Sequence, residues 1–382
     1  MPNLTWELAI KKVTLHPIAL RLVSPFQTSF GTQHLRPAII VRLEAKSGAV
    51  GWGEVTADWN PGYSYETVFT AKHVLEDFLI PNLPQTLRSD EEWGWLHGVR
   101  GHPMAKHGLI SAILTAVAEE RGISLAKLLQ EMSGAESTKK CVEVGISIGI
   151  QPHVDETLKV IEAALADGYG RIKLKIKPGR DVDDLRRVRQ AFPDVVIMAD
   201  ANSAYSLQDA DLLRQLDAFN LLMIEQPLAY YDIHDHSQLQ PQLKTPICLD
   251  ESLHTLGAVK LMHKIGAGKI VNLKPQRVGG LFEALAIHDF CAANAMPLWV
   301  GGMLETAVGR AVSLALASLP AVTLPSDLSA TRRYYNPDED IATPPFELNT
   351  EDSTVNVPTD PGLGVSIDMA RLARAEAAFF PL

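Results

Sequence analysis

Three apolar runs in the middle of the chain each end in an acidic residue. Residues 195–200 read Val-Val-Ile-Met-Ala-Asp, residues 221–225 read Leu-Leu-Met-Ile-Glu, and residues 247–250 read Ile-Cys-Leu-Asp. The three terminal acids stand 25 residues apart in both intervals. A short apolar run is typical of a buried parallel strand, and the interval leaves room for one helix with its connections. This stretch therefore predicts parallel strands joined by helices.

The same interval extends over most of the chain. Apolar runs end at residues 150, 176, 200, 225, 250, 274, 300 and 324. Amphipathic segments at 181–192 and 206–217 lie between runs and begin with the potential N-caps Asp181 and Ser206. Eight strands alternating with seven helices at a constant interval predict an α/β fold, a (β/α)7β barrel of the TIM type. A doubly wound open sheet is the alternative, but no Gly-x-Gly-x-x-Gly follows the first run.

Different patterns flank this region. Residues 1–135 combine extended apolar segments with helical stretches, which predicts an α+β domain that caps the barrel and covers the substrate with its loops. The barrel itself is predicted over residues 136–330. Residues 331–382 contain clusters of Pro, Asp and Thr. We expect this last segment to leave the barrel and to pack back on the N-terminal domain.

Composition excludes several classes of protein. The 382 residues are 46% hydrophobic and 21% charged, which is typical of a folded globular protein. The net charge is −10 and the basic residues are scattered, which argues against nucleic acid as a partner. Three cysteines without a Cys-x-x-Cys pair fit a reducing compartment. We see no signal-peptide pattern and no run near the roughly 20 apolar residues of a membrane helix, so we expect a cytoplasmic protein without a membrane partner.

The charged residues of the predicted strands lie within a strand or at its C-terminal end. Lys173 and Lys175 share one face of the second strand, and Lys274 ends the sixth. Active sites of such barrels lie at this end. Structural ion pairs are the alternative explanation, but six charges at five consecutive strand ends would carry a large desolvation cost. The strands between the lysines contribute the carboxylates Asp200, Glu225 and Asp250.

These residue types indicate a chemistry. Three carboxylate donors with open positions suit Mg²⁺, and Mn²⁺ or another divalent cation could replace it. No Cys or His accompanies them, which argues against Zn²⁺. A bound cation stabilises the charge that forms on a carboxylate when its α-proton leaves, and a lysine with a lowered pKa can take that proton. We therefore expect proton abstraction from a small-molecule carboxylate.

Over essentially its whole length the sequence resembles the enolase superfamily, muconate-lactonising-enzyme subgroup. The resemblance rests on the five segments Ile172-Lys173-Leu174-Lys175-Ile176, Asp200-Ala201-Asn202, Ile224-Glu225-Gln226-Pro227, Leu249-Asp250-Glu251-Ser252 and Asn272-Leu273-Lys274-Pro275. Within the subgroup, it is most similar to the o-succinylbenzoate synthase and N-succinylamino acid racemase family, through residues 25–31, 51–54, 274–280 and 301–306. Dipeptide epimerases usually carry Asp-x-Asp near the seventh strand end, where this chain has Gly-Gly-Met.

The resemblance implies a role for each core residue. Lys175 is the expected base on one face of the substrate, Lys274 lies on the opposite face, and Lys173 stabilises the enediolate. The implied Mg²⁺ ligands are Asp200, Glu225 and Asp250, supported by Asn202 and Glu251, while Arg277 tunes the charge of Lys274.

The substrate pocket is also implied by the resemblance. Its expected residues are Ser147, Phe26, Gly301, Gly302, Met303 and Glu305. The loops at 25–31 and 57–64 are expected to close over the substrate, with Phe26, Phe30 and Trp59 excluding water.

The implied activity is that of a Mg²⁺-dependent o-succinylbenzoate synthase, a dehydratase of menaquinone biosynthesis. N-succinylamino acid racemase is the first alternative, alone or as a second activity, because it uses the same two lysines and because Arg277 resembles racemase-capable members. A dipeptide epimerase or other cycloisomerase is a further alternative. A catalytically silent binding protein is a different class, which the intact lysines and carboxylates oppose. Relatives suggest a homo-oligomer.

Overall fold

The computed structural model describes residues 4–28, 31–89 and 93–379. It begins with an antiparallel sheet in the order β3-β2-β1-β4. Its strands are β1 (Glu7–Thr28), β2 (Gly31–Ala45), β3 (Val50–Val55) and β4 (Thr86–Arg88). The long β1–β2 hairpin reaches residues 25–28, so this part of the predicted loop belongs to a strand. Phe30, expected to cover the substrate, lies outside the described residues.

Among the described residues, four helices follow in this part of the chain. They are α1 (Val68–Val74, continued by a π-helical turn over Leu75–Leu79), α2 (Gly94–His97), α3 (Pro103–Glu120) and α4 (Leu125–Ser133). Of these, α1 and α3 contact the sheet. Strand β3 lies directly on α3, because a Cβ on Gly53 would meet the carbonyl oxygen of Gly108 at 2.0 Å. A Cβ on Gly51 would meet the Ala112 carbonyl oxygen at 1.9 Å. The two glycines allow this close approach, which fixes where the loop after β3 begins.

A second sheet is parallel and follows the order β12-β11-β10-β9-β8-β7-β6. After the short β5 (Cys141–Glu143), its strands are β6 (Ile146–Ile148), β7 (Arg171–Lys175), β8 (Val196–Asp200), β9 (Ile224–Glu225), β10 (Ile247–Leu249), β11 (Ile270–Leu273) and β12 (Leu298–Val300). The intervening helices are α5 (Val154–Ala166), α6 (Val182–Ala191), α7 (Ala210–Gln215), α8 (Ile233–Leu239), α9 (Leu256–Ile265), α10 (Pro275–Val278) and α11 (Leu281–Ala293), and α12 (Ala307–Ala317) follows β12. The predicted alternation of strands and helices is confirmed.

The eighth predicted strand differs from the other seven. The run that ends at residue 324 forms isolated bridges, from Val322 to Leu298 and from Ser326 to Val144. Backbone hydrogen bonds from Thr323 to Leu298 (2.9 Å) and from Gly145 to Ser326 (2.9 Å) join it to β12 and to the chain before β6. This segment links the first and last strands of the curled sheet, although its pairing is too short to count as a strand.

Side chains alternate between the two faces of the parallel strands. An apolar cluster separate from the main core is formed by Met198, Met223, Cys248, Ile270 and Trp299. The residues next to them on the same strands, such as Ile197 and Leu249, belong to the main core. Because the side-chain period of a strand is two, the residues two positions after the separate cluster point the same way. The apolar cluster therefore lies beneath a polar layer at the C-terminal strand ends.

The remaining chain connects the two sheets. Its elements are a 3₁₀ turn (Thr331–Arg333), β13 (Ala342–Thr343), β14 (Leu348–Asn349), β15 (Thr354–Asn356), β16 (Ser366–Ile367) and α13 (Met369–Ala377). Strand β15 pairs with β5, and helix α13 lies on β1, where Glu376 Oε1 is 2.8 Å from His16 Nδ1. Among the described residues, no helix combines the length and apolar character needed to span a membrane.

Gly53→Ala should strongly destabilise the protein. The new Cβ would lie 2.0 Å from backbone of α3, which cannot move aside as a flexible side chain can. Overpacking of this kind typically costs about 1–3 kcal/mol and occasionally more. Urea unfolding measures the loss, with Gly94→Ala as the matched control, because a Cβ on Gly94 meets nothing within 4 Å. Equal stability of the two variants would contradict the direct packing of β3 on α3.

Candidate active site

The polar layer of the barrel brings the predicted core residues together. Lys175 lies opposite Asp200 in the β7–β8 pairing, and Asp200 lies opposite Glu225 in the β8–β9 pairing. The three predicted metal ligands are almost fully buried, with Asp200 and Asp250 each 1% exposed and Glu225 0% exposed. Neighbouring buried carboxylates repel one another, so their charges must be balanced by cations nearby.

Lys173 lies deepest in this layer. Its Nζ is 3.1 Å from Glu225 Oε2, 3.4 Å from Asp200 Oδ2 and 2.5 Å from Asp327 Oδ2. The ammonium also lies 4.9 Å from the centre of the Trp299 ring, which belongs to the apolar cluster below. Burial lowers the pKa of Lys173, but Asp327, Glu225 and Asp200 more than offset this and raise the pKa well above its ordinary value. Lys173 is therefore a fixed positive charge in this arrangement.

Lys175 lies nearer the opening of the barrel. Its Nζ is 2.6 Å from Asp200 Oδ2 and donates a hydrogen bond to Asn202 Oδ1. The Asn202 amide in turn donates to Glu251 Oε1 at 2.9 Å. Asn202 has a φ of 42°, a left-handed conformation that is uncommon outside glycine. The two predicted supporting residues thus orient one another and Lys175.

Lys274 approaches from the far side of the carboxylates. Its Nζ is 2.8 Å from Asp250 Oδ2 and 3.2 Å from the hydroxyl of Tyr63. The Arg277 guanidinium donates to the other Asp250 oxygen and to the carbonyl of Asn272. Burial raises the pKa of Asp250, and the charges of Lys274 and Arg277 more than reverse this, so the net pKa is lowered.

Two further pKa shifts follow from the same charges. Burial, and next the charge of Asp200, raise the pKa of Glu225 to about 8. Burial lowers the pKa of Lys274, yet Asp250 and Tyr63 reverse this and raise it. The carboxylates therefore outweigh the neighbouring cations at Lys173 and Lys274, while the lowered pKa that we expect for the base beside a bound cation stays a prediction.

A cavity of about 210 Å³ opens above these residues, between the barrel and the N-terminal sheet. Lys173, Lys175 and Lys274 line its floor, together with Asp200 and Asn202. Four predicted pocket residues also line it, namely Phe26, Ser147, Gly302 and Met303.

Gly301 and Glu305 are not among the described residues that line the cavity. A Cβ on Gly301 would meet Lys274 Cε at 2.6 Å, so this glycine makes room for the lysine. Glu305 is buried, and its carboxylate accepts a hydrogen bond from the backbone N–H of Met303 at 2.6 Å. Trp59, expected to cover the substrate, instead packs against Phe379 with ring centres 5.0 Å apart.

The donor set of the polar layer fits a hard divalent cation. Asp200, Glu225 and Asp250 offer carboxylate oxygens from three neighbouring strand ends, and such oxygens are the ligands that Mg²⁺ and Mn²⁺ prefer. Another possible ligand group, formed by Asp232, His234 and Asp235, lies at the start of α8 with its ligand atoms within 4.8 Å of one another. Residues 233–239 form a helix that Asp232 caps by accepting a hydrogen bond from the backbone N–H of Asp235.

Sequence reasoning missed three residues of the site. Asp327 joins Lys173 to Arg171, whose Nη1 is 2.7 Å from Asp327 Oδ1. Tyr63 contacts Lys274 from the loop after β3. Asn272 donates to Glu225 Oε1 at 2.7 Å. The signal for Asn272 was its place two residues before Lys274 on one strand face, and Asp327 follows the eighth apolar run, whereas nothing in the local pattern singles out Tyr63.

Asp327→Ala should destabilise the fold by about 3–5 kcal/mol, because it leaves two buried cations, Arg171 and Lys173, without their shared carboxylate. Urea unfolding measures this loss. Asp183→Ala is the matched control, since the Asp183 side chain is 89% exposed and pairs only across one helical turn with Arg186. A loss for Asp327→Ala no larger than for this control would show that Asp327 does not balance the buried cations.

Comparison with known proteins matches both parts of the chain to known families. Residues 10–130 match the family described as the mandelate racemase / muconate lactonizing enzyme N-terminal domain, and residues 156–371 match the enolase C-terminal domain-like family. The o-succinylbenzoate synthase of Geobacillus kaustophilus is 47% identical over 367 residues, which is 96% of this chain and 95% of that protein. The N-succinylamino acid racemase of an Amycolatopsis species is 44% identical, over 93% of this chain and 94% of that protein.

Solved structures show the same architecture. An enolase-superfamily member from Listeria innocua Clip11262 superposes with a TM-score of 0.89 at 40% identity, covering 96% of this chain and 97% of the other. The two domain families match in order, relatives above 40% identity align over nearly the full length, and the fold is shared. The chain therefore belongs to the mandelate racemase / muconate lactonizing enzyme family of the enolase superfamily.

Proposed function

We propose that the protein is a Mg²⁺-dependent o-succinylbenzoate synthase. The observation that carries the proposal is that Lys175 and Lys274 line one cavity from strand ends on either side of the three carboxylates. The proposal is supported by sequence identity. The o-succinylbenzoate synthases of Geobacillus kaustophilus and Bacillus subtilis are 47% and 44% identical to this chain over nearly its full length. We infer a cytoplasmic enzyme of menaquinone biosynthesis that acts as a homo-oligomer.

Asp200, Glu225 and Asp250 would hold the cation, with Mn²⁺ as a possible substitute. When bound, the cation supplies positive charge to the substrate carboxylate as its α-proton leaves. The chain itself fixes these ligands with hydrogen bonds. Lys173 and Asn272 donate to Glu225, and Arg277 donates to Asp250.

The lysines carry the proton chemistry. Lys175 Nζ, in its neutral form, takes the proton from the carbon α to the carboxylate, and the C–H electron pair passes into the enediolate. Lys173, held charged by its three carboxylates, lies beside the developing negative charge. The carbon–oxygen bond of the β-hydroxyl then breaks, Lys175 returns its proton to the departing oxygen, and water and an aromatic ring result. Lys274 contributes positive charge on the opposite face.

N-succinylamino acid racemisation is the second candidate, alone or beside the first activity. It needs one proton-transferring group on each face of the α-carbon, which Lys175 and Lys274 would provide. The 44% identity to the Amycolatopsis racemase and the contact of Arg277 with the carboxylate that binds Lys274 favour it.

We further propose that residues 1–135 act as the capping domain, 136–330 as the catalytic barrel and 331–382 as a segment that packs on the cap.

Asp200→Asn and Glu225→Gln should each abolish activity and Mg²⁺ binding while the fold is largely kept, because each removes a negatively charged donor. Titration calorimetry measures the binding and circular dichroism the fold. Asp183→Asn, an exposed change on α6, is the matched control and should bind Mg²⁺ as the wild type does. Turnover near the wild-type rate in either ligand variant would contradict the metal assignment.

Lys175→Ala and Lys274→Ala should separate the two faces of the substrate. In D₂O, each variant should lose α-proton exchange from one enantiomer of an N-succinylamino acid and keep it for the other, with opposite preferences. Loss of a general base typically lowers the rate about 10²–10⁴-fold. Dehydration should fail in Lys175→Ala, which loses base and acid together. Proton-exchange NMR on each pure enantiomer makes the measurement.

Each lysine variant is the control for the other, because the retained exchange shows that the barrel is intact. Equal loss of exchange for both enantiomers in both variants would mean that the lysines act as one electrostatic unit, and the two-face assignment would be wrong. Near-normal dehydration by Lys175→Ala would show that the base is a different residue.

A further inference from the structure

The loop after β12, residues 301–306, is held by side chains from three distant parts of the chain. Arg36 on β2 donates to the carbonyl of Met303 at 3.2 Å, and Tyr335, in the segment after the barrel, donates to the carbonyl of Leu304 at 2.5 Å. Glu54 on β3 accepts from the backbone N–H of Thr306 at 3.0 Å. All three of these side chains are at most 7% exposed. Backbone groups of three residues in one short loop are thus bound by side chains from outside the loop.

This loop contains a strained residue. Leu304 has a φ of 55°, in the left-handed region that a bulky L-residue rarely occupies. Glycine would adopt the same backbone without cost, and the chain places glycines at 301 and 302 immediately before. Strained residues persist only where the surrounding structure holds them, and they cluster at functional sites. The three external hydrogen bonds are of the kind that can hold such a conformation.

The strained residue also lines the cavity. Leu304 lines the cavity next to Met303, on a wall completed by Phe26 and Tyr334. Lysines and carboxylates form the floor, so the apolar wall faces the part of a substrate that lies away from the reacting carboxylate. A wall that is held rigidly discriminates by size better than one that can yield, because it cannot move aside for a larger group.

We propose that Leu304 is a specificity-determining residue that limits the size of the substrate's apolar portion, and that Tyr335 is the positioning residue that holds its strained backbone in place. The inference rests on the proposed function for its substrate class, an N-succinylamino acid or a compound of similar shape. It assigns the loop's selectivity to a leucine held in a conformation that glycine would prefer.

The first experiment compares Leu304→Gly with Leu304→Ala. Both shorten the wall by nearly the same amount, but alanine keeps the backbone strain and glycine relieves it. Leu304→Gly should therefore melt roughly 1–3 °C above Leu304→Ala. This comparison needs no substrate. A melting temperature of Leu304→Gly at or below that of Leu304→Ala would overturn the claim that the loop is strained.

The second experiment measures selectivity by α-proton exchange in D₂O with N-succinylphenylalanine and N-succinylalanine. Leu304→Ala should raise the ratio of kcat/KM for the larger to the smaller substrate about tenfold. Tyr335→Phe keeps the ring and removes one hydrogen bond, so it should raise the same ratio about threefold to tenfold. Its kcat for N-succinylalanine should stay within about twofold of the wild type, because the lysines and carboxylates are untouched.

Tyr231→Phe is the matched control for Tyr335→Phe. Tyr231 is 79% exposed, so losing its hydroxyl should change neither the ratio nor kcat. If the wild-type enzyme is active and the two tyrosine variants behave alike, the role of Tyr335 is wrong. If the wild type neither forms o-succinylbenzoate nor exchanges either N-succinylamino acid, the proposed function fails, and with it the substrate class assigned to Leu304.

Discussion

Three carboxylates on neighbouring strand ends, each buried almost completely, are the constraint on which the site depends. Like charges in a low-dielectric interior repel strongly, so they can ionise together only if cations lie between them. Lys173, Lys175 and Lys274 fill this role, each at 3.1 Å or less from at least one of the carboxylates. The cations that balance the buried charge are the same groups that the proposed reaction needs. The lysine charges that stabilise the folded barrel would therefore also act in the reaction.

The apolar cluster under the polar layer strengthens the same charge interactions. Trp299 fills the barrel beneath Lys173, and its indole N–H lies 3.3 Å from Cys248 Sγ, so the ring is held in place. The ring's negative face attracts the ammonium above it. Because strands repeat every two residues, Met198, Met223 and Cys248 place Asp200, Glu225 and Asp250 directly above this dry layer. Water cannot reach the carboxylates from below, which strengthens every charge interaction in the layer.

Much of this architecture is predictable from the sequence, because it follows from periodic patterns. The constant interval between apolar runs predicts the parallel strands, and strand alternation predicts that Lys173 and Lys175 point the same way. The eighth strand was overestimated, since an apolar run shows burial but not the extent of pairing. Tyr63, Glu54 and Arg36 could not be assigned, because their partners lie 211, 252 and 267 residues away in sequence and only the packing of the N-terminal sheet on the barrel brings them together.

The segment after the barrel has a consequence for the order in which the molecule is completed during synthesis. Tyr335 binds the loop after β12, and Asp340 accepts hydrogen bonds from the Ala307 N–H at the start of α12. A ribosome makes these residues after every barrel strand, and domains generally fold as they emerge. A nascent chain that ends at residue 330 would already contain the charged layer, yet its cavity would lack the Tyr334 wall and its loop would be unbraced. The Tyr334 wall and the hydrogen bond to the loop after β12 are thus the last parts of the cavity that the growing polypeptide acquires, after Lys173, Lys175 and Lys274 are in place.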